Sequence, residues 1–184
     1  TQRELRSKVL ALFRDEASLF APRYGESVAA ERARTWARIM RLGELGFFRD
    51  TIAATDSVEL DARTRYDTVI GCVALLDHSL EVKLGVNLGL FGATVRHLGT
   101  DEQRRRWLPE IEAMREFGCF CLTELGHGSN ARSIETRALY DQEADCFILH
   151  TPTEEAQKYW IGGAAESALQ AAFETRPEPR RLRL

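Results

Sequence analysis

Apolar residues at Leu5, Val9, Leu12, Phe13 and Phe20 recur at helical spacing and predict a first helix over residues 3–20, ended by Pro22 and Gly25. From Glu26 a second stripe of Ala33, Trp36, Ala37 and Met40, with Arg32, Arg34 and Arg38 interspersed, predicts a helix that stops at Gly43 or Gly46. Residues 47–60 show no period and read as a loop. Tyr66, Val69, Ile70 and Val73 then mark one face of a third helix. Leu80, Val82, Leu84, Val86, Leu88 and Leu90 alternate strictly with Glu81, Lys83, Gly85, Asn87 and Gly89, a strand pattern by period. Two internal glycines weaken a strand, and Phe91, Val95 and Leu98 continue at helical spacing. From the residues alone this segment stays open.

Residues 100–114 are cleaner. Thr100 with Gln103 forms a capping box, Asp101 and Glu102 suit the positive first turn, and Trp107, Leu108 and Ile111 supply the apolar face. Pro109 lacks an N–H and is expected to kink or divide this helix. After Arg115 the character changes. Residues 117–122 are a short apolar run, and residues 134–140 and 146–150 flank D-Q-E-A-D, a predicted hairpin. The succession of a helical part and a β-rich part predicts an α+β fold, with boundaries at 1–115 and 116–168. Residues 169–173 can extend a helix. The arginines and prolines toward Leu184 make residues 169–184 read as a basic, disordered tail.

Composition narrows the function classes. With 184 residues, 44% hydrophobic and 29% charged, the chain suits one domain, or one domain and part of another. The net charge of −3 gives no general attraction to nucleic acid or anionic lipid. No run approaches the roughly 18 apolar residues of a membrane span. The start at Thr1 shows no apolar segment of a secretory signal. Cys72, Cys119, Cys121 and Cys146 lack zinc-pair spacing and read as buried free thiols, with Cys119 and Cys121 on one side of a strand.

Candidate chemistry gathers in two stretches. One runs from Phe117 to Asn130 and contains G-C-F-C-L-T-E-L-G-H-G-S-N; the other, Q-K-Y-W-I-G-G-A-A, runs from Gln157 to Ala165. Free backbone amides in the glycine-rich turn can hold an anion, and an aromatic pair before two glycines can flank a flat ligand. Thr123, at a strand end, suits the edge of a heteroaromatic ring, or is satisfied by backbone. Trp160 is a ring wall or a core aromatic. His127 is a candidate base or ligand and Ser129 a candidate nucleophile, yet G-H-G-S-N is not G-x-S-x-G. No dinucleotide G-x-G-x-x-G or phosphate-binding G-x-x-x-x-G-K-[ST] is present.

These stretches, with I-E-T at 134–136, T-P-T-E-E-A at 151–156 and L-G-T-D-E-Q at 98–103, resemble the acyl-CoA oxidases of the acyl-CoA dehydrogenase superfamily. The resemblance is strongest over residues 60–165. It implies a helical N-terminal domain, the start of a β-barrel-like middle domain, and FAD as cofactor. By position, Thr123, Trp160 and Gly162 would contact the flavin, and Ser129 the CoA phosphate region. G-H-G-S-N and Gly162 favour the oxidase branch, since dehydrogenases tend to carry a hydroxyl residue at the position of Gly162. The resemblance also implies a mostly helical segment at residues 80–90.

The implied reaction converts acyl-CoA to trans-2-enoyl-CoA with oxygen as acceptor, releasing hydrogen peroxide. A homodimer is implied, in the peroxisome for a eukaryotic source and the cytoplasm for a bacterial one. The family's glutamate base belongs to a C-terminal helical domain that nothing after residue 165 resembles. The resemblance therefore implies a partial chain whose catalytic residue lies outside it. A non-catalytic or partner-binding fragment, and a dehydrogenase with a protein electron acceptor, are the alternatives.

Overall fold

The computed structural model describes residues 1–52, 59–164 and 169–172. Seven helices come first: α1 (Gln2–Asp15), α2 (Ala17–Phe20), α3 (Val28–Glu44), α4 (Glu59–Leu76), α5 (His78–Leu84), α6 (Ala93–Leu98) and α7 (Asp101–Glu112), with a π-helical segment (Gly85–Gly92) between α5 and α6. Thr1 closes a capping box with Glu4, and Thr100 closes the expected one with Gln103. Ser27 caps α3 through the Ala30 amide, and Asp77 caps α5 through Ser79 and Leu80. The first predicted helix is two, because the chain turns at Glu16. Pro109 lies inside α7 without dividing it.

The core joins Val9, Phe20, Ile39, Leu42, Val69, Val73, Leu80, Leu84, Leu88 and Ile111. Burial on this scale is the main favourable term of folding. Part of the region that reads as a loop belongs to it: Phe48 and Ile52 are buried, and Glu112 accepts the Asp50 and Ile52 amides. The remainder of that loop, residues 53–58, lies outside the described residues.

One expectation is corrected here, and one segment left open by the residues is decided. On α3 the buried face is Thr35, Arg38, Ile39 and Leu42, while Ala33 and Ala37 are exposed. Arg38 goes inward because its guanidinium donates to the carbonyls of Leu19, Phe20 and Ala21 and to Asp77 Oδ2 at 2.6 Å. It thereby satisfies the orphan carbonyls at the end of α2. The alternating segment is helical throughout. Leu80, Leu84 and Leu88 enter the core, whereas Val82 and Leu90 are exposed and Val86 is half-buried. A period of two contains a period of four, and here the period of four decides which side chains are buried.

The strands form two small sheets. β1 (Gly118–Cys121) pairs in parallel with β4 (Leu169–Ala172), and β2 (Arg137–Asp141) pairs with β3 (Cys146–His150) as the predicted hairpin. β4 corrects the helix expected at residues 169–173 and takes the first four residues assigned to the tail. Residues 173–184 lie outside the described residues. β1 lies against the π-helical segment, where Asn87 Oδ1 accepts the Gly118 amide at 3.0 Å. Any Cβ at Gly118 would run into the Phe91 ring, so glycine allows that approach.

Candidate functional site

The two stretches singled out by the sequence lie side by side. Beyond the end of β1, Thr123 O accepts the Tyr159 amide at 3.1 Å, and Thr123 Oγ1 donates back to Tyr159 O at 2.5 Å. The Leu125 amide donates to Gln157 O, and the Gly126 amide to Glu155 O. Glu124 and Lys158 form a bridge pair between them. The turn at residues 124–127 closes on itself through Glu124 N to His127 O and His127 N to Glu124 O. Those amides are therefore spent on backbone carbonyls, and this part of the turn is not an anion cradle.

Glu124 anchors the arrangement. The residue is 3% exposed, and its carboxylate accepts the Glu135 amide at 2.8 Å, the Thr136 amide at 3.0 Å, the Thr136 hydroxyl and Lys158 Nζ at 3.1 Å. Burial pushes its pKa up, but the donors from Glu135, Thr136 and Lys158 together outweigh burial and hold it at about 2. A carboxylate so held stays ionised at neutral pH and is a poor proton acceptor. Its part is to fasten strand end to loop.

His127 is also engaged. Its Nε2 meets Glu135 Oε1 at 2.8 Å, and Thr153 Oγ1 donates to Glu135 Oε2 at 2.9 Å. These two hydrogen bonds, His127 first, hold the Glu135 carboxyl below the usual range. Ser129 is exposed, beside Asn130, whose amide donates to Ser133 Oγ at 2.7 Å. Cys119 and Cys121 do share one side of β1, with sulfurs 3.5 Å apart. Burial, and then the Cys119 neighbour, push the Cys121 thiol up to about 12, which leaves it a poor nucleophile. Cys146 is exposed, against expectation.

Trp160 adopts φ 58° and is 87% exposed, with the Tyr159 ring edge-on at 5.5 Å. It is a surface aromatic, not a core one. Past it, Gly162 and Gly163 border a cavity of about 440 Å³ whose other walls include Trp36, Val82, Lys83, Val86 and Phe117. A Cβ on Gly162 would meet only Val86 Cγ2 at an ordinary 3.8 Å, so nothing described within the chain requires glycine there. The structure thus joins Thr123 to the Tyr159–Trp160 pair and sets Gly162 at the cavity. Thr123, Trp160 and Ser129 are not among the cavity's lining residues.

The residues that hold the site together, Glu124, Thr136 and Lys158, carried no predicted role. The available signal was that all three lie in the segments I-E-T, T-E and Q-K that stood out by resemblance.

Residues 1–115 match the family described as acyl-CoA dehydrogenase, N-terminal domain, and the chain belongs to that family. Among curated relatives, it is 40% identical over 148 residues to acyl-coenzyme A oxidase 3, peroxisomal, of Arabidopsis thaliana, covering 80% of this chain and 22% of that one. It is 48% identical over 114 residues to acyl-coenzyme A oxidase of Saccharomyces cerevisiae (strain ATCC 204508 / S288c), covering 60% of this chain and 15% of that one. Its fold superposes on the crystal structure of acyl-CoA oxidase 1 from Yarrowia lipolytica with a TM-score of 0.76 and 30% identity, over 95% of this chain and 24% of that one. The chain spans 15% to 22% of the length of these two curated relatives. The helical region followed by the start of a strand-rich one agrees with the fold class expected from the sequence.

Proposed function

We propose that this chain forms the N-terminal part of an FAD-dependent acyl-CoA oxidase, which converts acyl-CoA to trans-2-enoyl-CoA with oxygen as acceptor and hydrogen peroxide as by-product. The observation that carries the reading is the pair of hydrogen bonds between Thr123 and Tyr159, which fastens a strand-end hydroxyl beside an exposed indole. The residues fit a flat heteroaromatic ring. Trp160 offers an uncovered aromatic face, Gly162 a main chain with no side chain in the way, and Thr123 a hydroxyl whose lone pairs can accept from a ring N–H. Thr123, Trp160 and Gly162 would hold the isoalloxazine, and the exposed Ser129 the CoA phosphate region.

When bound, FAD supplies the two-electron acceptor chemistry of the desaturation. The chain's own residues orient and enclose. Glu124 and Lys158 keep Thr123 in register with Tyr159. Val82, Val86, Phe117 and Trp36 give the cavity beside Gly162 apolar walls that suit the acyl portion. The base that takes the α proton is not among these residues, since Glu124 is already held by its four donors. Two curated relatives are named peroxisomal, and the peroxisome is the compartment proposed for a eukaryotic source. A homodimer is proposed as the assembly.

The test is acyl-CoA-dependent oxygen uptake by the longest polypeptide encoded continuously with this chain, loaded with FAD. Peroxide equal to enoyl-CoA formed is expected. Turnover that needs a protein electron acceptor would replace the oxidase by a dehydrogenase. A chain that binds no flavin and turns nothing over would remove the reading.

A further inference from the structure

A groove of about 280 Å³ runs between α6 and α7 and shares no lining residue with the cavity beside Gly162. Val95 and Leu98 of α6 and Gln103 and Trp107 of α7 line it, with the buried Phe91 and with Ala171 of β4. Leu98 is 73% exposed, so this apolar wall stands open to water and would gain from being covered. None of the described lining residues is charged. The polar groups gather along α7. Gln103 Oε1 accepts the Thr100 amide at 2.8 Å, while Gln103 Nε2 makes no hydrogen bond among the described residues. Three residues on, Arg106 Cζ lies 4.5 Å from the centroid of the Trp107 ring, and among the described residues no carboxylate pairs with this guanidinium. Glu110, the acid one turn further along, is taken by Arg115 at 2.6 and 2.8 Å.

We propose that this groove binds a short straight-chain carboxylic acid as its anion, with Arg106 and Gln103 on the carboxylate and Leu98, Val95 and Trp107 along the chain. The proposal is independent of the flavin reading. A volume of about 280 Å³ is at the small end of ligand sites, which run to roughly 300–1,000 Å³, and it suits one slender chain. Positions three apart on a helix are neighbours, so the Arg106 fork and the Gln103 amide can reach one head group together. A guanidinium and a carboxylate form charge-assisted hydrogen bonds, commonly in pairs, that an uncharged head group cannot match. The apolar wall supplies the remaining contact area, and the single cation beside it decides which end of the ligand lies at α7.

The experiment follows the indole N–H signals of Trp36, Trp107 and Trp160 by NMR of the isotope-labelled chain, assigned with Trp107→Phe. Octanoate, titrated below its micellar range, is expected to shift the Trp107 signal saturably and to leave Trp36, which lines the other cavity, in place. Uncharged octan-1-ol is expected to bind about 10-fold more weakly, the worth of a hydrogen bond to a charged group. Arg106→Gln should bring octanoate down to the level of octan-1-ol, and Arg106→Lys should hold it above that level. Arg106 is exposed, so neither variant disturbs the core. A Trp107 signal that does not move overturns the proposal, as does a shift confined to Trp36. Equal affinity for acid and alcohol overturns it without any variant, and so does a preference that survives Arg106→Gln. Self-association of the chain that is lost in Leu98→Ser would make the groove an interface between copies instead, and would equally overturn it.

Discussion

The helical region and the strand-rich region are held together by opposite means. In the first, Phe20, Ile39, Leu42, Leu80, Leu84 and Leu88 are shut away from water, and the buried Arg38 and Glu112 satisfy helix-end carbonyls and loop amides. In the second, the pieces are pinned by the ionised Glu124 and its donors. There Phe147, Ile148 and Leu149 of β3 are exposed, as is Trp160. A packed core supports itself through many weak contacts. A polar pin fixes a few atoms accurately but loses most of its worth when one partner goes. The candidate site sits where the two meet, with Thr123, Trp160 and Gly162 on the pinned side and Trp36, Val82 and Val86 of the cavity wall on the packed side.

The contrast can be broken at its strongest point. Phe20→Ala removes a fully buried ring from the helical core and should cost about 3–5 kcal/mol, read as a lower urea midpoint. Glu124→Ala takes the carboxylate away from the part-buried Lys158 ammonium and from the Glu135 and Thr136 amides, and about 3 kcal/mol is expected. Its signature differs from that of Phe20→Ala. Glu124→Leu combined with Lys158→Met should recover only the part of the loss due to the Lys158 ammonium, the Glu135 and Thr136 amides still lacking their acceptor, whereas no second substitution of that kind rescues any of the Phe20→Ala loss.

Acid sharpens the same difference. The folded pKa of Glu124, about 2, lies below its ordinary 4.5, so its contribution is fully present above pH 4.5 and is lost as pH falls toward 2. Urea midpoints measured between pH 5 and 2 should fall more steeply for the wild-type chain than for Glu124→Gln. Glu4, Glu16 and Glu110 are also depressed and titrate alike in both proteins, so the difference between the curves reports Glu124 together with the neighbouring Glu135 carboxyl that its charge raises. At the seam, Gly118→Ala forces a methyl into the Phe91 ring and should cost about 1–3 kcal/mol. The smallest effect is expected at the helix surface. Thr100→Ala removes a cap from α7 and should cost about 1 kcal/mol.

Much of the helical region was legible because its signals are local. The Thr100 and Gln103 box and the Val69 and Val73 stripe need only a few neighbouring residues to be read, and both stand in the structure. Arg38 was misplaced because a stripe analysis takes an arginine for solvent face, while its four acceptors come from residues 17 to 39 positions away. The segment at residues 80–90 was ambiguous for a geometric reason: the same residues satisfy both periods, and only packing against α4 and β1 selects one. In the site, resemblance picked out Thr123, Trp160 and Gly162. It gave no role to the carboxylate and ammonium that join their segments, which lie 34 positions apart. The hydrogen bond from Thr123 to Tyr159 O shows that its backbone-satisfied reading and its cofactor reading are compatible, since a hydroxyl donates once and still accepts.

The central claim is that the Thr123, Trp160 and Gly162 face receives a flavin ring. Titrating the chain with FAD while following tryptophan emission tests it most directly. The account predicts saturable quenching together with a flavin absorption band that stays with the protein on gel filtration, and loss of the quenching component in Trp160→Phe. A chain that remains colourless at saturating FAD, with its tryptophan emission unchanged by the titration, would contradict it.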